Sequence, residues 1–179
     1  GHGGMDEGTV SADGRQKEKD YKLYVVERLK KRLDQSGIGV YYTRLDDRAV
    51  SKKKRVWLAN TLNADLLVSV HCNASDPGDT SAFGVEALYS ERSTNSSLSG
   101  KQLAGALKDN VVKSTGNRDR GLIQREQLYL LHHSKVPASI IEIGYMSNAL
   151  DLKYIRKARG QEEIAEGIYQ GILEALNKK

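Results

Sequence analysis

A single cysteine, Cys72, stands in the 179 residues, so an intramolecular disulfide and a CxxC zinc site are both excluded. No stretch approaches the roughly 20 apolar residues of a membrane-spanning helix, and no membrane span is expected. No secretory leader pattern opens the chain, which begins Gly1-His2-Gly3-Gly4. A strong excess of one charge is missing too: 28 Lys and Arg face 23 Asp and Glu, a formal net charge of +5. That excess is spread along the chain and leaves no nucleic-acid footprint, so no nucleic-acid partner is expected. It suits an anionic polymer, and equally a plain solvated surface.

What is present is ordinary for a globular chain: 39% hydrophobic and 28% charged residues, enough for one core and one domain spanning 1–179. No internal repeat or linker divides it. Residues 18–35 carry Val25, Val26, Leu29 and Leu33 at helical spacing, and Gly37 and Gly39 end that helix. Val40–Thr43 reads as a short strand, 48–62 as a helix, and Leu66–His71 as a buried parallel strand. Beyond a polar loop at 73–82 come a strand at 84–89 and a helix at 95–113. A short strand is expected near Leu128–Leu131 and another at Ser139–Ile143. Two helices close the chain, 149–157 and 160–177, the second repeating Ile164, Ile168, Ile172 and Leu176. Helices alternating with short apolar strands predict an α/β domain: a mostly parallel central sheet with helices on both faces.

Chemistry is concentrated in few residues. Of the four histidines, His71 ends a buried strand, where open α/β sheets place ligands, and His2 lies in the glycine-rich GHGGMDEG. Glu142 interrupts an apolar strand, a costly position unless it is paired, hydrogen-bonded or near a metal. Glu18 opens the first helix. Taken singly, each has a bland explanation. Glu142 could face solvent at a strand end, His71 could be a hydrogen-bonded core histidine, His2 a loose terminal residue, and Glu18 a carboxylate on the helix dipole. As a set they read differently. Two histidines and a glutamate make a catalytic zinc set, and a further glutamate can act as general base. Scattered over 140 residues, their meeting is not provable from spacing.

The chain resembles the zinc-dependent N-acetylmuramoyl-L-alanine amidases of the amidase-3 family. The resemblance rests on GHGGMDEG at 1–8, EKD at 18–20, YYTRLDD at 41–47, LANTLNADLLVSVHCNAS at 58–75, GVEALY at 84–89, RGL at 120–122, LYLL at 128–131 and VPASIIEIGYMSN at 136–148. It implies that His2, Glu18 and His71 bind one Zn2+ per chain and that Glu142 is catalytic. It further implies peptidoglycan as partner and cleavage between N-acetylmuramic acid and L-alanine of the stem peptide. The setting would be the cell wall or extracellular space, reached by export, phage lysis or sporulation, with the chain acting as a monomer. The alternatives are a zinc peptidase or carboxypeptidase on cell-wall peptides, and a non-catalytic wall-binding module.

The family pattern opens with a strand ending in Asp-x-Gly-His, and a strand ahead of residue 1 is therefore expected. Ser69 and Asn73 share His71's face and are candidates to support the site. Cys72 points to the other face and is expected to be buried and inert. Asn73, Arg120 and His132 are candidate substrate-binding residues, Arg120 for a carboxylate or a pyranose oxygen. The pair His132 and His133 departs from the family pattern. It reads as a polar turn, with cleft lining, or replacement of Glu18 on the metal, as the sharper alternative.

Overall fold

The two most apolar strands lie side by side. β1 (Leu67–Asn73) and β4 (Ala138–Tyr145) pair in parallel, from Leu67 opposite Ala138 to His71 opposite Glu142. β2 (Val85–Tyr89) runs antiparallel to β4 and parallel to β3 (Asp119–Gln124), giving the order β1-β4-β2-β3. The computed structural model describes residues 1–11, 13–92, 94 and 96–178. Six helices complete it: α1 (Glu18–Gln35), α2 (Lys52–Thr61), α3 (Gly100–Thr115), α4 (Tyr129–His133), α5 (Ala149–Arg156) and α6 (Ala158–Asn177).

Alternation along the strands divides the sheet into two faces. Val70, Cys72, Val85, Ala87, Ile141 and Ile143 join the larger core, packed by Val25 and Leu29 of α1, Leu103 and Leu107 of α3, and Ile164 and Ile168 of α6. Ala138 and Ile140 point the other way, into a smaller core with Val56 of α2 and Leu130 and Leu131 of α4. Helices thus cover both faces, and two of the three strand pairings are parallel, as expected. On the second face the apolar cover ends where His71, Glu142 and Glu86 begin. That exposed end of the sheet is where the chemistry sits.

Helix ends follow local capping chemistry. Ser51 Oγ accepts from Lys54 N at the start of α2, which begins at 52 rather than 48. Ser99 and Gln102 form a capping box that starts α3 at 100; the expected start at 95 lies outside the described residues. Two expectations are corrected, and one strand is new. Val40–Thr43 forms no strand, because it lies across a slot from β1 instead of within hydrogen-bonding reach of it. Leu128–Leu131 belongs to helix α4: Leu130 and Leu131 are both buried, which suits a helix and breaks strand alternation. β3 was not anticipated, since its polar, half-exposed residues look like loop. The slot holds about 620 Å³ and is lined by Val26, Leu29, Val40, Leu66, Val68 and Val70, among others.

Candidate metal centre and active site

Glu18 is the hub of the site. It occupies the first turn of α1, is 2% exposed, and is met by five groups. Its Oε1 accepts from Cys72 N (3.1 Å) and Lys22 Nζ (2.8 Å) and lies 2.9 Å from His71 Nδ1. Its Oε2 accepts from Thr9 N (2.8 Å) and lies 3.3 Å from His2 Nε2. Burial opposes ionisation of this carboxyl. The His71 contact and the Lys22 ammonium outweigh burial and hold it well below the usual carboxylate range.

The glycine-rich start brings His2 to this hub. His2 itself takes a left-handed conformation (φ 42°), rare outside glycine. Its Nδ1 lies 2.7 Å from Asp6 Oδ1, which leaves Nε2 turned toward Glu18. Gly8, also left-handed (φ 69°), permits the approach: a Cβ there would fall 2.4 Å from Glu18 Oε2 and 2.8 Å from His2 Cδ2. Two buried arginines pin the same loop. Arg44 Nε donates to Gly1 O (3.2 Å) and Arg55 Nη2 to His2 O (3.0 Å).

His71 completes the group. Its Nε2 lies 3.1 Å from Ser69 Oγ, as the shared strand face anticipated. Burial is the main cause holding its pKa well below the ordinary histidine range, with the N-terminal amino group adding to it. Burial, aided by Lys22, also lowers His2. Neutral imidazoles are the form that binds metals. Donor atoms of His2, Glu18 and His71 all lie within 4.8 Å of one another, the one such group among the described residues. Two imidazoles and a carboxylate fit zinc. Holding an ion requires one His71 nitrogen to exchange its present partner for it.

Glu142 stands next to His71 in register, with Glu86 on its other side. Its Oε2 is buried and has no hydrogen-bond partner among the described residues. Burial first, then the charges of Glu18 and Glu86, push its pKa up to about 8 against the opposing pull of Lys22. A buried carboxylate oxygen without a partner needs a reason. Here it lies in register with His71, one of three residues whose donor atoms could hold a cation.

Glu86 was not singled out from the sequence. It is 8% exposed and accepts from Asn73 Nδ2 (2.7 Å), Tyr145 OH (3.0 Å) and Arg120 Nε (3.0 Å). Asn73 and Arg120 therefore meet at Glu86. His132 does not join them. It sits in α4 with Nδ1 3.0 Å from Glu126 O, by the start of β4 rather than its end. Cys72 is 2% exposed on the opposite face, and burial raises its thiol pKa well above the ordinary range. Asp6, Arg44 and Arg55 also escaped notice. Asp6 and Arg44 lie in GHGGMDEG and YYTRLDD, and Arg55 in α2, but nothing local said which partner each would take.

Comparison with known proteins places the chain in a family. Residues 1–174 match the family described as N-acetylmuramoyl-L-alanine amidase. The chain belongs to that amidase family. Among its relatives, the endolysin of Bacillus phage SPP1 is 34% identical over all of this chain and 65% of its own length. The Bacillus subtilis N-acetylmuramoyl-L-alanine amidase LytC is 30% identical over 96% of this chain, which spans only a third (33%) of LytC. The crystal structure of an N-acetylmuramoyl-L-alanine amidase from Clostridium difficile 630 superposes with a TM-score of 0.91 at 36% identity, covering 100% of this chain and 94% of that one. The CwlD amidase of Clostridioides difficile, solved in complex with the GerS lipoprotein, gives 0.89 at 28% identity, covering 100% and 96%. Family and relatives together support a peptidoglycan amidase function for this family member. No helix among the described residues is long and apolar enough to cross a membrane.

Proposed function

We propose that the chain is a zinc-dependent amidase that hydrolyses the bond between the lactyl group of N-acetylmuramic acid and L-alanine. The observation that carries the reading is the unpartnered Glu142 Oε2 beside the His2–Glu18–His71 triad. Those three residues hold one zinc ion per chain. Bound zinc supplies Lewis acidity for the attacking water and the scissile carbonyl. Glu142 accepts the water's proton at its free oxygen and returns it to the departing L-alanine nitrogen. Asp6 keeps the His2 tautomer and ring fixed through Nδ1. Ser69 and the Cys72 amide hold His71 and Glu18 in place.

Asn73 and Arg120 serve the substrate side through Glu86; His132 is the weaker candidate, given its place in α4. The chain acts on the wall as a monomer, in the extracellular space or delivered there by phage or during sporulation.

The test is a pair of variants assayed for bound zinc and for turnover. Glu142→Gln should keep one zinc and lose hydrolysis. His71→Ala should lose both. Near-normal activity in Glu142→Gln would sink the assignment. Cleavage within the peptide, with no free N-terminal L-alanine, would indicate a zinc peptidase instead. Wall binding unaffected by a chelator, with no turnover, would indicate a binding module.

A further inference from the structure

Two irregularities in the sheet aim side chains at one point. Between His71 opposite Glu142 and Asn73 opposite Tyr145, β4 carries one residue more than β1, and Gly144 in that bulge has φ 146°. Between Val85 opposite Asp119 and Ala87 opposite Leu122, β3 carries one residue more than β2, and Gly121 has φ 88°. Bulges re-aim side chains and gather beside active sites. Here Tyr145, beside the first, and Arg120, beside the second, both donate to the same carboxylate, Glu86.

The result is a row across all four strands: His71, Glu142, Glu86 and Arg120. Arg120 is held rigidly, with its Nε on Glu86 Oε2 and its guanidinium 4.8 Å from the centre of the Tyr145 ring. It remains partly exposed, at 28% of its side chain. Glu86 engages Nε and Tyr145 also contacts the guanidinium; the remaining N–H donors at its outer end suit a carboxylate. Strands lie about 4.8 Å apart, which puts Arg120 roughly 10 Å from Glu142 along the row. An extended peptide covers that in about three residues.

We propose that Arg120, braced by Glu86 and Tyr145, is a specificity-determining residue that binds a free carboxylate on the peptide arm, one to three residues beyond the scissile amide. This rests on the amidase reading given above. It adds that the enzyme selects acidic peptide arms over those whose carboxylates are amidated. Glu86 acts as a positioning residue: it fixes the arginine and, with Asn73, ties that subsite to the end of β1 beside His71.

The experiment uses two muramyl peptides that differ only in free versus amidated peptide carboxylates, with zinc-loaded enzyme. Wild type should favour the free acid by about tenfold or more in kcat/KM, mostly through KM. Arg120→Gln should bring that ratio to about one, whatever happens to the common rate. Arg120→Lys, which keeps the charge and loses the fork, should restore part of the preference and guards against a folding defect. Equal use of both peptides by wild type, or an unchanged ratio in Arg120→Gln, overturns the proposal. Binding of the two peptides to the Glu142→Gln protein is the second readout. A preference there that vanishes with Arg120 upholds the carboxylate subsite even if no amidase product forms, which separates its failure from that of the amidase reading.

Discussion

Glu142 carries two opposite demands. Catalysis needs its carboxylate free and close to the metal triad, while folding is penalised for burying it. Its folded pKa of about 8 lies above the ordinary 4.5, so the native state holds the proton more tightly than the unfolded chain. The metal-free protein therefore has its full stability from this group below pH 4.5 and loses it as pH rises toward and through 8. Glu142→Gln removes that loss. Thermal unfolding of metal-free protein should show the variant gaining on wild type between pH 5 and pH 8, by several kcal/mol at most. An equal difference at both pH values would contradict the burial argument. Asp6 makes a simpler case. Asp6→Ala frees the His2 ring and should weaken zinc binding by about 10- to 100-fold in a chelator competition, with the fold intact. Much of this was legible in single residues: a glutamate in an apolar strand and a histidine at a strand end are physically conspicuous. Glu86 was not, because GVEALY reads as an ordinary strand until its three hydrogen-bond partners are seen.

Among the elements, the regular ones follow from periodicity and the irregular ones do not. α1 begins at Glu18 and ends at Gln35, as its apolar spacing predicts. β3 and α4 do not follow, for related reasons. A half-exposed edge strand has no apolar alternation, and a short apolar run such as Leu128–Leu131 fits helix or strand alike. The bulges beside Tyr145 and Arg120 were equally hidden, since Gly121 and Gly144 announce freedom without saying where the chain turns. Their role can be measured. Gly144→Ala places a Cβ 3.1 Å from Asp151 Oδ2 at φ 146°, and Asp151 Oδ2 holds Tyr145 N and Gly84 N. The substitution should cost about 1–3 kcal/mol in urea unfolding. It should also reduce discrimination between acidic and amidated peptides, because Tyr145 shifts off Glu86. A neutral effect on both would mean the bulge is incidental.

At the scale of the whole molecule, the site is assembled from remote parts: His2 from the opening loop, Glu18 from α1, His71 from β1 and Glu142 from β4. No local pattern joins residues so far apart. Resemblance across nearly the whole chain did so, and the fold then brought three of them within 4.8 Å. A metal bound by such distant segments should stabilise the whole domain. Zinc at 100 times its dissociation constant adds about 2.7 kcal/mol, so a chelator should lower the Tm by several degrees, reversibly. The central claim is the bond that is cut, and the most direct measurement is mass spectrometry of purified peptidoglycan digested by the zinc-loaded protein. The account predicts peptides with a free N-terminal L-alanine and glycan strands bearing free lactyl carboxylates, formed by wild type and not by Glu142→Gln. Products cut within the peptide or within the glycan, or an undigested wall, would contradict it.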